Sequence, residues 1–290
     1  MRNVVLALAT VALVGCDFVP GEKSKPVPDA RTADTLPPSP RNTISILAWN
    51  VESGGADVEV VGNQLSGLYA HDINALSEVD PRSFELFARA CDKGCQFVSS
   101  KTGNDDRLEI IYDTRRLELV RHQELDRYRD FELNNGNHRS PLLAHFRDRQ
   151  SGIEFQVVVN HLARGKEEVR NMQAIGLREW ARDQTLPTVT IGDFNLDFDF
   201  HTRRGNQAFI EILRDDVWSW VKPGAWIDTN WADPDHDGKD NFPGSMLDFA
   251  FVAGPAKDWK PACKVIVRDG DFPDDKTTSD HRPVELRLRP

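Results

Sequence analysis

The sequence predicts an α/β domain in which two mixed β-sheets pack face to face with helices on the outer faces, a four-layer sandwich. Two observations lead to this expectation. Short apolar runs rich in β-branched residues recur from residue 43 to residue 288, and helical patterns separate only some of them. The others are joined by short polar turns that are typical of hairpins. Strand–helix units mixed with hairpins favour stacked mixed sheets covered by helices.

The first half of the domain is predicted to contain strand–helix units followed by a hairpin. Apolar residues alternate in the strands and recur at helical spacing in the helices. Proline opens the second helix, where its missing N–H is not needed. The predicted elements are a strand at Thr43–Trp49, a helix at Val58–Tyr69, a strand at Ile73–Glu78, a helix at Pro81–Cys91 and a hairpin of Leu108–Tyr112 with Leu117–Arg121.

The second half is predicted to follow the same logic, with a hairpin that turns at Ser151-Gly152 and one long amphipathic helix. No internal repeat is visible. The predicted elements are a hairpin of Leu142–Phe146 with Ile153–Asn160, helices at Lys166–Asp183 and Gln207–Leu213, and strands at Thr188–Ile191, Leu247–Val252, Cys263–Val267 and Val284–Leu288.

The N-terminal segment has the features of a targeting sequence. An apolar run at residues 4–14 follows one positive charge and is too short to span a bilayer stably. The run ends in Leu-Val-Gly-Cys16, which resembles the bacterial lipobox, so the resemblance implies a signal peptide at residues 1–15 and a lipidated Cys16. The alternatives are a buried N-terminal helix and an ordinary signal peptide with an incidental cysteine. We therefore expect a lipid-anchored protein of the cell envelope.

Residues 16–42 are rich in proline and mixed charges and show no apolar periodicity, which predicts a flexible tether. Residues 43–290 are long enough for one large domain, and no second linker divides them. The net charge of −10 counts against non-specific binding of nucleic acid. After lipidation three cysteines remain. Either Cys91 and Cys95 form a disulfide and Cys263 stays buried and free, or all three are buried thiols.

Acids, amides and histidines stand at the ends of the predicted strands. The run Thr-Val-Thr-Ile stops at Gly-Asp193-Phe-Asn195, and Asp280 precedes His281 directly. Carboxylate and amide oxygens suit a hard divalent cation, and imidazoles suit a phosphate ester as acids or charge stabilisers. The members of this set are Asn50, Glu52, Glu78, His161, Asp193, Asn195, Asp248, Asp280 and His281.

The order and spacing of these motifs resemble the endonuclease/exonuclease/phosphatase superfamily across essentially all of residues 43–290. The resemblance implies a Mg²⁺ or Mn²⁺ site built on Glu78 and assisted by Asn50, Glu52 and Asp280. It also implies a role for each member of a catalytic set. Asp193 would activate the attacking water, Asn195 would orient the phosphate, and His161 and His281 would stabilise charge or protonate the leaving oxygen, with Asp248 supporting His281.

Two arginines complete the expected site. Arg139 stands before Ser-Pro and is similar to a basic residue that faces the phosphate in the nuclease branch of the superfamily, and Arg164 follows His161 closely. The alternative for Arg139 is an ordinary surface arginine. In the deoxyribonuclease branch an acid supports the first histidine, and Asp106 is the candidate for that place.

A separate acidic loop contains Asp233, Asp235 and Asp237 followed by glycine, which matches the first half of a calcium loop. The glutamate that would close such a loop at its twelfth position is replaced by Gly244. The loop therefore either binds a structural Ca²⁺ or is a solvated acidic turn.

The leading functional hypothesis is a monomeric, metal-dependent phosphoester hydrolase of the nuclease or phosphodiesterase type. Its substrate would be nucleic acid or a small phosphodiester or phospholipid, and its contact with the membrane would be the lipid anchor alone. One alternative is a phosphomonoesterase or a sphingomyelinase-like phospholipid hydrolase on the same fold. The other is a catalytically silent, calcium-binding envelope module.

Overall fold

The computed structural model describes residues 42–68, 71–91, 94–134, 139–271 and 277–290. The predicted signal peptide, Cys16 and the tether up to residue 41 lie outside these residues, so they stay predictions. Within the described ranges no helix has the length and apolar character needed to cross a membrane.

The strands and helices follow the predicted order closely. The strands are β1 (Ile44–Asn50), β2 (Ile73–Val79), β3 (Cys95–Ser99), β4 (Arg107–Asp113), β5 (Leu117–Glu124), β6 (Arg127–Tyr128), β7 (Phe131–Glu132), β8 (Leu142–Asp148), β9 (Glu154–His161), β10 (Thr188–Asp199), β11 (Trp218–Trp220), β12 (Ser245–Ala253), β13 (Ala262–Val265) and β14 (Val284–Leu288). The α-helices are α1 (Val58–Gly67), α2 (Phe84–Ala90), α3 (Glu167–Arg182) and α4 (Gln207–Leu213).

Two mixed sheets form the centre of the domain, as the sequence predicted. Among the described residues the first sheet has six strands in the order β13-β14-β1-β2-β4-β3, and the second has six in the order β11-β12-β10-β9-β8-β5. Each sheet contains one parallel pair, β1 with β2 and β9 with β10, and its other neighbours are antiparallel. The short strands β6 and β7 pair only with each other.

The alternation of side chains along β1 shows how the layers are held. Ile44, Ile46 and Ala48 point into the core between the sheets, whereas Leu47 and Trp49 point to the opposite face and pack with residues of α1 and α2. Successive side chains of a strand face opposite sides, so a strand buried on both faces is apolar throughout. The helices α3 and α4 contribute Leu177 and other apolar residues to the larger core.

The prediction of a hairpin at Leu108–Tyr112 and Leu117–Arg121 is wrong. Strand β4 pairs with β2 and β3 in the first sheet, and β5 pairs with β8 in the second. The turn at residues 113–116 carries the chain from one sheet to the other. The reason lies in burial, because β4 is buried along its length whereas most of β5 is not. A strand that is buried along its length belongs inside a sheet, whereas a strand that is mostly exposed suits an edge.

Other differences are smaller. The hairpin of β8 and β9 is confirmed, whereas the sequence did not predict β3, β6, β7 and β11. The helix predicted at Pro81–Cys91 is a 3₁₀ turn at Pro81–Ser83 followed by α2. Cys91 and Cys95 keep their thiols and are half-buried, and the Sγ atom of Cys95 lies 3.7 Å from the carbonyl oxygen of Cys91. Cys263 is a buried thiol, and burial raises its pKa to about 12.

Candidate active site

The predicted polar residues gather where the strands β1, β2 and β9 end and where the pairing of β10 with β12 is interrupted. Asn50 is the last residue of β1, His161 is the last of β9, and Asp193 lies in β10 opposite His161. The pairing of β10 with β12 is interrupted after Asp193. This interruption turns the backbone, and bulges of this kind commonly redirect side chains at active sites.

Asn50 joins two carboxylates that come from different sheets. Its Nδ2 atom donates to Oε1 of Glu78 at 2.9 Å and to Oδ2 of Asp193 at 3.2 Å. Its Oδ1 atom accepts from the backbone N–H of Glu52 at 3.1 Å. Glu78 adopts φ 57°, a conformation that costs non-glycine residues free energy and clusters at functional sites.

His161 lies between three acids. Its Nε2 atom is 3.5 Å from Oε1 of Glu78 and 3.5 Å from Oδ2 of Asp193. Its Nδ1 atom is 3.3 Å from Oδ1 of Asp106, without the alignment of a good hydrogen bond. Asp106 also pairs with Arg139 at 2.9 Å. Burial opposes the charge on Asp106, but His161 and Arg139 together lower its pKa. Arg139 is thus brought to the site through Asp106.

His281 is buried, and three carboxylates face its ring nitrogens. Its Nδ1 atom lies 2.8 Å from Oδ2 of Asp248, and its Nε2 atom faces Asp193 and Asp280 at 3.8 Å each. Burial opposes the imidazolium charge, but these carboxylates raise the pKa of His281 well above its usual value. Burial, reinforced by Asp193, also raises the pKa of Asp248. Both shifts mean that this buried pair holds its proton firmly.

The turn after Asp193 holds Asn195 in a left-handed conformation with φ 51°. The backbone N–H of Asn195 donates to Oδ1 of Asp193 at 2.9 Å, and its Nδ2 atom donates to the carbonyl oxygen of Leu162 at 3.0 Å. The Oδ1 atom of Asn195 is buried and has no hydrogen-bond partner among the described residues. A buried acceptor without a partner is a place where a ligand or water can bind.

Two predicted residues have other surroundings. The carboxylate of Glu52 accepts from the backbone N–H of Asp280 at 3.0 Å, so it holds the loop that carries His281. Arg164 is exposed, and its side chain has no hydrogen bond or ion pair with the described residues of the site. Its carbonyl oxygen accepts from Arg170 at 2.6 Å.

The acidic loop lies apart from these contacts. Carboxylate oxygens of Asp233, Asp235 and Asp237 come within 4.8 Å of one another, close enough to hold one ion. Asp233 also accepts from the backbone N–H groups of Asp237 and Gly238 at 3.0 and 2.9 Å, which a loop without calcium would equally need. Calcium at this loop stays a prediction.

Sequence reasoning missed two neighbours of His281. The hydroxyl oxygen of Thr229 accepts from the N–H groups of Leu247 and Asp248 at 2.9 and 3.2 Å, which fixes the start of the strand that carries Asp248. Asn230 is paired with His281 in an isolated antiparallel bridge and is buried. Neither residue belongs to a periodic apolar run, and only the three-dimensional pairing brings them to the site.

The composition of the cluster fits a hard cation. Ligand atoms of Glu78, Asp106 and His161 lie within 4.8 Å of one another. The carboxylates of Asp193, Asp248 and Asp280 add negative charge around two imidazoles and one nearby guanidinium. Crowded acids repel one another when ionised, so a bound divalent cation would stabilise them. Their oxygen donors are of the kind that Mg²⁺ and Mn²⁺ prefer.

The arrangement of sheets and helices is shared with solved structures of endonuclease/exonuclease/phosphatase proteins, so the resemblance is confirmed at the level of the fold. A family protein of this name from Bacteroides thetaiotaomicron is 18% identical with a TM-score of 0.62, and the match covers 85% of this chain and 94% of that one. No family model matches the sequence, and neither does any curated protein.

Two further structures share the fold and carry more specific names. A mannosyl-6-phosphatase of Bacteroides thetaiotaomicron is 18% identical with a TM-score of 0.61, over 84% of this chain and 98% of that one. TDP2 of D. rerio, complexed with a single-strand DNA product, is 15% identical with a TM-score of 0.65, over 86% and 99%. Identities this low establish the fold, and the activity must be argued from the site.

Proposed function

We propose that this chain is a metal-dependent phosphoester hydrolase of the phosphodiesterase or nuclease type. The observation that carries the proposal is the convergence on one oxygen atom. Oδ2 of Asp193 lies 3.2 Å from Nδ2 of Asn50, 3.5 Å from Nε2 of His161 and 3.8 Å from Nε2 of His281. One carboxylate surrounded by two imidazoles and an amide suits the activation of water beside a phosphate.

In this proposal Asp193 accepts the proton of the attacking water, and Asn50 keeps its carboxylate in place. The second N–H of the Asn195 carboxamide donates to a phosphate oxygen, and its unpartnered Oδ1 atom accepts from the water or from a substrate hydroxyl. His281, kept protonated by Asp248, stabilises the charge that develops on the phosphate oxygens. We assign the same role to His161, whose Nδ1 atom lies 3.3 Å from Oδ1 of Asp106.

A divalent ion is proposed at Glu78, where ligand atoms of Asp106 and His161 lie within 4.8 Å, and the resemblance assigns Asp280 and Glu52 to the same ion. Such an ion would supply Lewis-acid charge to a phosphate oxygen. Asn50 is better placed to hold Glu78 than to bind the ion itself, since its carbonyl oxygen already accepts from the backbone.

The choice of a phosphodiester substrate is supported by the contact of Asp106 with His161 and Arg139. The resemblance attributes such an acid and such an arginine to the nuclease branch. Among the proteins that share the fold, TDP2 is complexed with a DNA product and another is a phosphatase of mannosyl-6-phosphate. The net charge of −10 supports a small phosphoester over long DNA. We also propose that a lipid on Cys16 anchors a monomeric enzyme in the cell envelope.

A substrate panel tests the proposal. The full-length chain in detergent micelles is assayed with and without Mg²⁺ on plasmid DNA, bis-p-nitrophenyl phosphate, inositol phosphates and sphingomyelin. We expect Mg²⁺-dependent hydrolysis of at least one phosphodiester and a loss of more than about 100-fold in His281→Ala. The matched control is His122→Ala, which changes an exposed histidine on the edge strand β5. Equal activity of wild type and His281→Ala would reject the catalytic role of His281. Inactivity of the wild-type chain on every substrate would favour a silent binding module.

A further inference from the structure

Helix α3 carries three buried polar side chains that the proposed mechanism does not use, Arg170, Gln173 and Arg178. Arg170 and Gln173 are 6% and 0% exposed. They stand three residues apart and therefore share one face of the helix. Burying a guanidinium or an amide costs free energy unless hydrogen bonds compensate, so the partners of these groups indicate what they hold in place.

Both side chains bind the segment that follows His161. Oε1 of Gln173 accepts from the backbone N–H of Ala163 at 2.9 Å, and its Nε2 atom donates to the carbonyl oxygen of Leu133 at 2.9 Å. Nη1 of Arg170 donates to the carbonyl oxygens of Ala163 and Arg164 at 2.9 and 2.6 Å. The peptide groups on both sides of Ala163 are thus fixed to one helix.

This segment in turn contacts the turn around Asn195. The backbone N–H of Leu162 donates to the carbonyl oxygen of Asp193 at 3.0 Å, and the carbonyl oxygen of Leu162 accepts from Nδ2 of Asn195 at 3.0 Å. On the far side of the turn, Nη2 of Arg170 lies 3.7 Å from Oδ2 of Asp197. One guanidinium therefore contacts both the segment that follows His161 and Asp197, two residues after Asn195.

We propose that Arg170 and Gln173 are positioning residues that fix the carboxamide of Asn195 and the imidazole of His161 through residues 162–164. This inference rests on the proposed hydrolase function. Asn195 benefits from such support because a left-handed backbone costs non-glycine residues free energy and persists where the surroundings determine it. A displacement of about 1 Å at a reacting group can cost roughly 100-fold in rate.

The chain offers a matched control on the same helix. Arg178 is 7% exposed, and its Nη1 atom donates to the carbonyl oxygen and to Oε2 of Glu211 at 2.8 and 3.0 Å. Replacing either arginine by methionine therefore removes a buried guanidinium that has carbonyl and carboxylate partners. Only Arg170 is connected to the site.

The first test compares Arg170→Met with Arg178→Met. Both variants are expected to lose stability, whereas kcat for bis-p-nitrophenyl phosphate falls about 10- to 100-fold in Arg170→Met alone, with KM within about threefold. Gln173→Met should show the same pattern, and Arg170→Lys should recover part of the rate because it restores one donor. Equal kcat values for the two Met variants, whether both wild type or both low, would overturn the proposal.

A second readout does not depend on turnover. The side-chain amide signals of Asn195 in the NMR spectrum, assigned with Asn195→Asp, are expected to shift in Arg170→Met and to stay unchanged in Arg178→Met. Unchanged signals in a folded Arg170→Met protein would overturn the positioning role. If the wild-type chain hydrolyses no substrate of the panel, the proposed function fails, and these signals still decide whether Arg170 positions Asn195.

Discussion

The pair formed by Asp248 and His281 allows a quantitative prediction. In Asp248→Asn the charge that lies 2.8 Å from Nδ1 of His281 disappears while the shape of the side chain is kept. Two unit charges about 4 Å apart interact by roughly 4 kcal/mol at the effective dielectric of a protein. If most of this interaction energy stabilises the imidazolium in the transition state, where charge develops on the phosphate, kcat of Asp248→Asn falls about 100- to 1,000-fold. About 1.4 kcal/mol corresponds to a factor of ten in rate.

The same substitution predicts a change in pH dependence. Asp248, together with Asp280 and Asp193, raises the pKa of His281 against the effect of burial. Activity that needs the protonated imidazole is lost as the pH rises through this pKa. Without Asp248 the pKa is lower, so the alkaline loss of kcat moves toward neutral pH.

The assay is kcat against pH for wild type and Asp248→Asn on the best substrate of the panel. The matched control is Asp148→Asn, which changes another buried carboxylate that binds Arg116 at 3.0 Å, away from the site. A wild-type kcat and an unmoved alkaline limb in Asp248→Asn would refute the role given to His281.

Three predictions concern stability, measured by urea unfolding. Glu109 is buried without a partner among the described residues, and burial raises its pKa. The native state then holds the proton more firmly than the unfolded chain, so wild-type stability falls as the pH rises above the usual carboxyl range. Glu109→Met should therefore be more stable by about 1–3 kcal/mol at pH 7 and should lose this pH dependence. A less stable variant would contradict the prediction. Gly192 has φ 133°, and a Cβ there would meet the carbonyl oxygen of Asn160 at 2.3 Å. Gly192→Ala should therefore lower the free energy of unfolding by more than about 1 kcal/mol. A variant as stable as the wild type would show that the backbone can relax. Burial opposes ionisation of Glu285, but its imidazole and guanidinium partners lower its pKa to about 2, so its contribution is present above the ordinary carboxyl pKa and is lost as the pH falls toward 2. Glu285→Gln should therefore flatten the acid limb of stability, and an unchanged acid limb would argue against the pairing.

The sequence was most informative where a strand is buried on both faces and ends in a polar residue. The run before Asp193 and the run before His161 are continuous and rich in β-branched residues, so their ends could be placed at one edge of a sheet from the sequence alone. Burial along the whole strand leaves few alternatives for such a segment.

The sequence was least informative where pairing between distant segments decides the outcome. The turn between β4 and β5 has the composition of a hairpin, and only the different burial of the two strands sends them to different sheets. Thr229 and Asn230 reach the site through one bridge to His281. Arg170 looks like any arginine on an amphipathic helix until its partners are known, because local periodicity contains no information about which carbonyl groups lie opposite.

The proposed function requires that residues from both sheets converge around one divalent cation at Glu78. The most direct measurement is an anomalous difference map from crystals of the chain soaked in Mn²⁺. We expect a peak at roughly 2.1–2.3 Å from the Glu78 carboxylate, where a hard cation binds oxygen, and its disappearance in Glu78→Gln. A map with no peak beside Glu78, or with Mn²⁺ only at the acidic loop of Asp233, would contradict it.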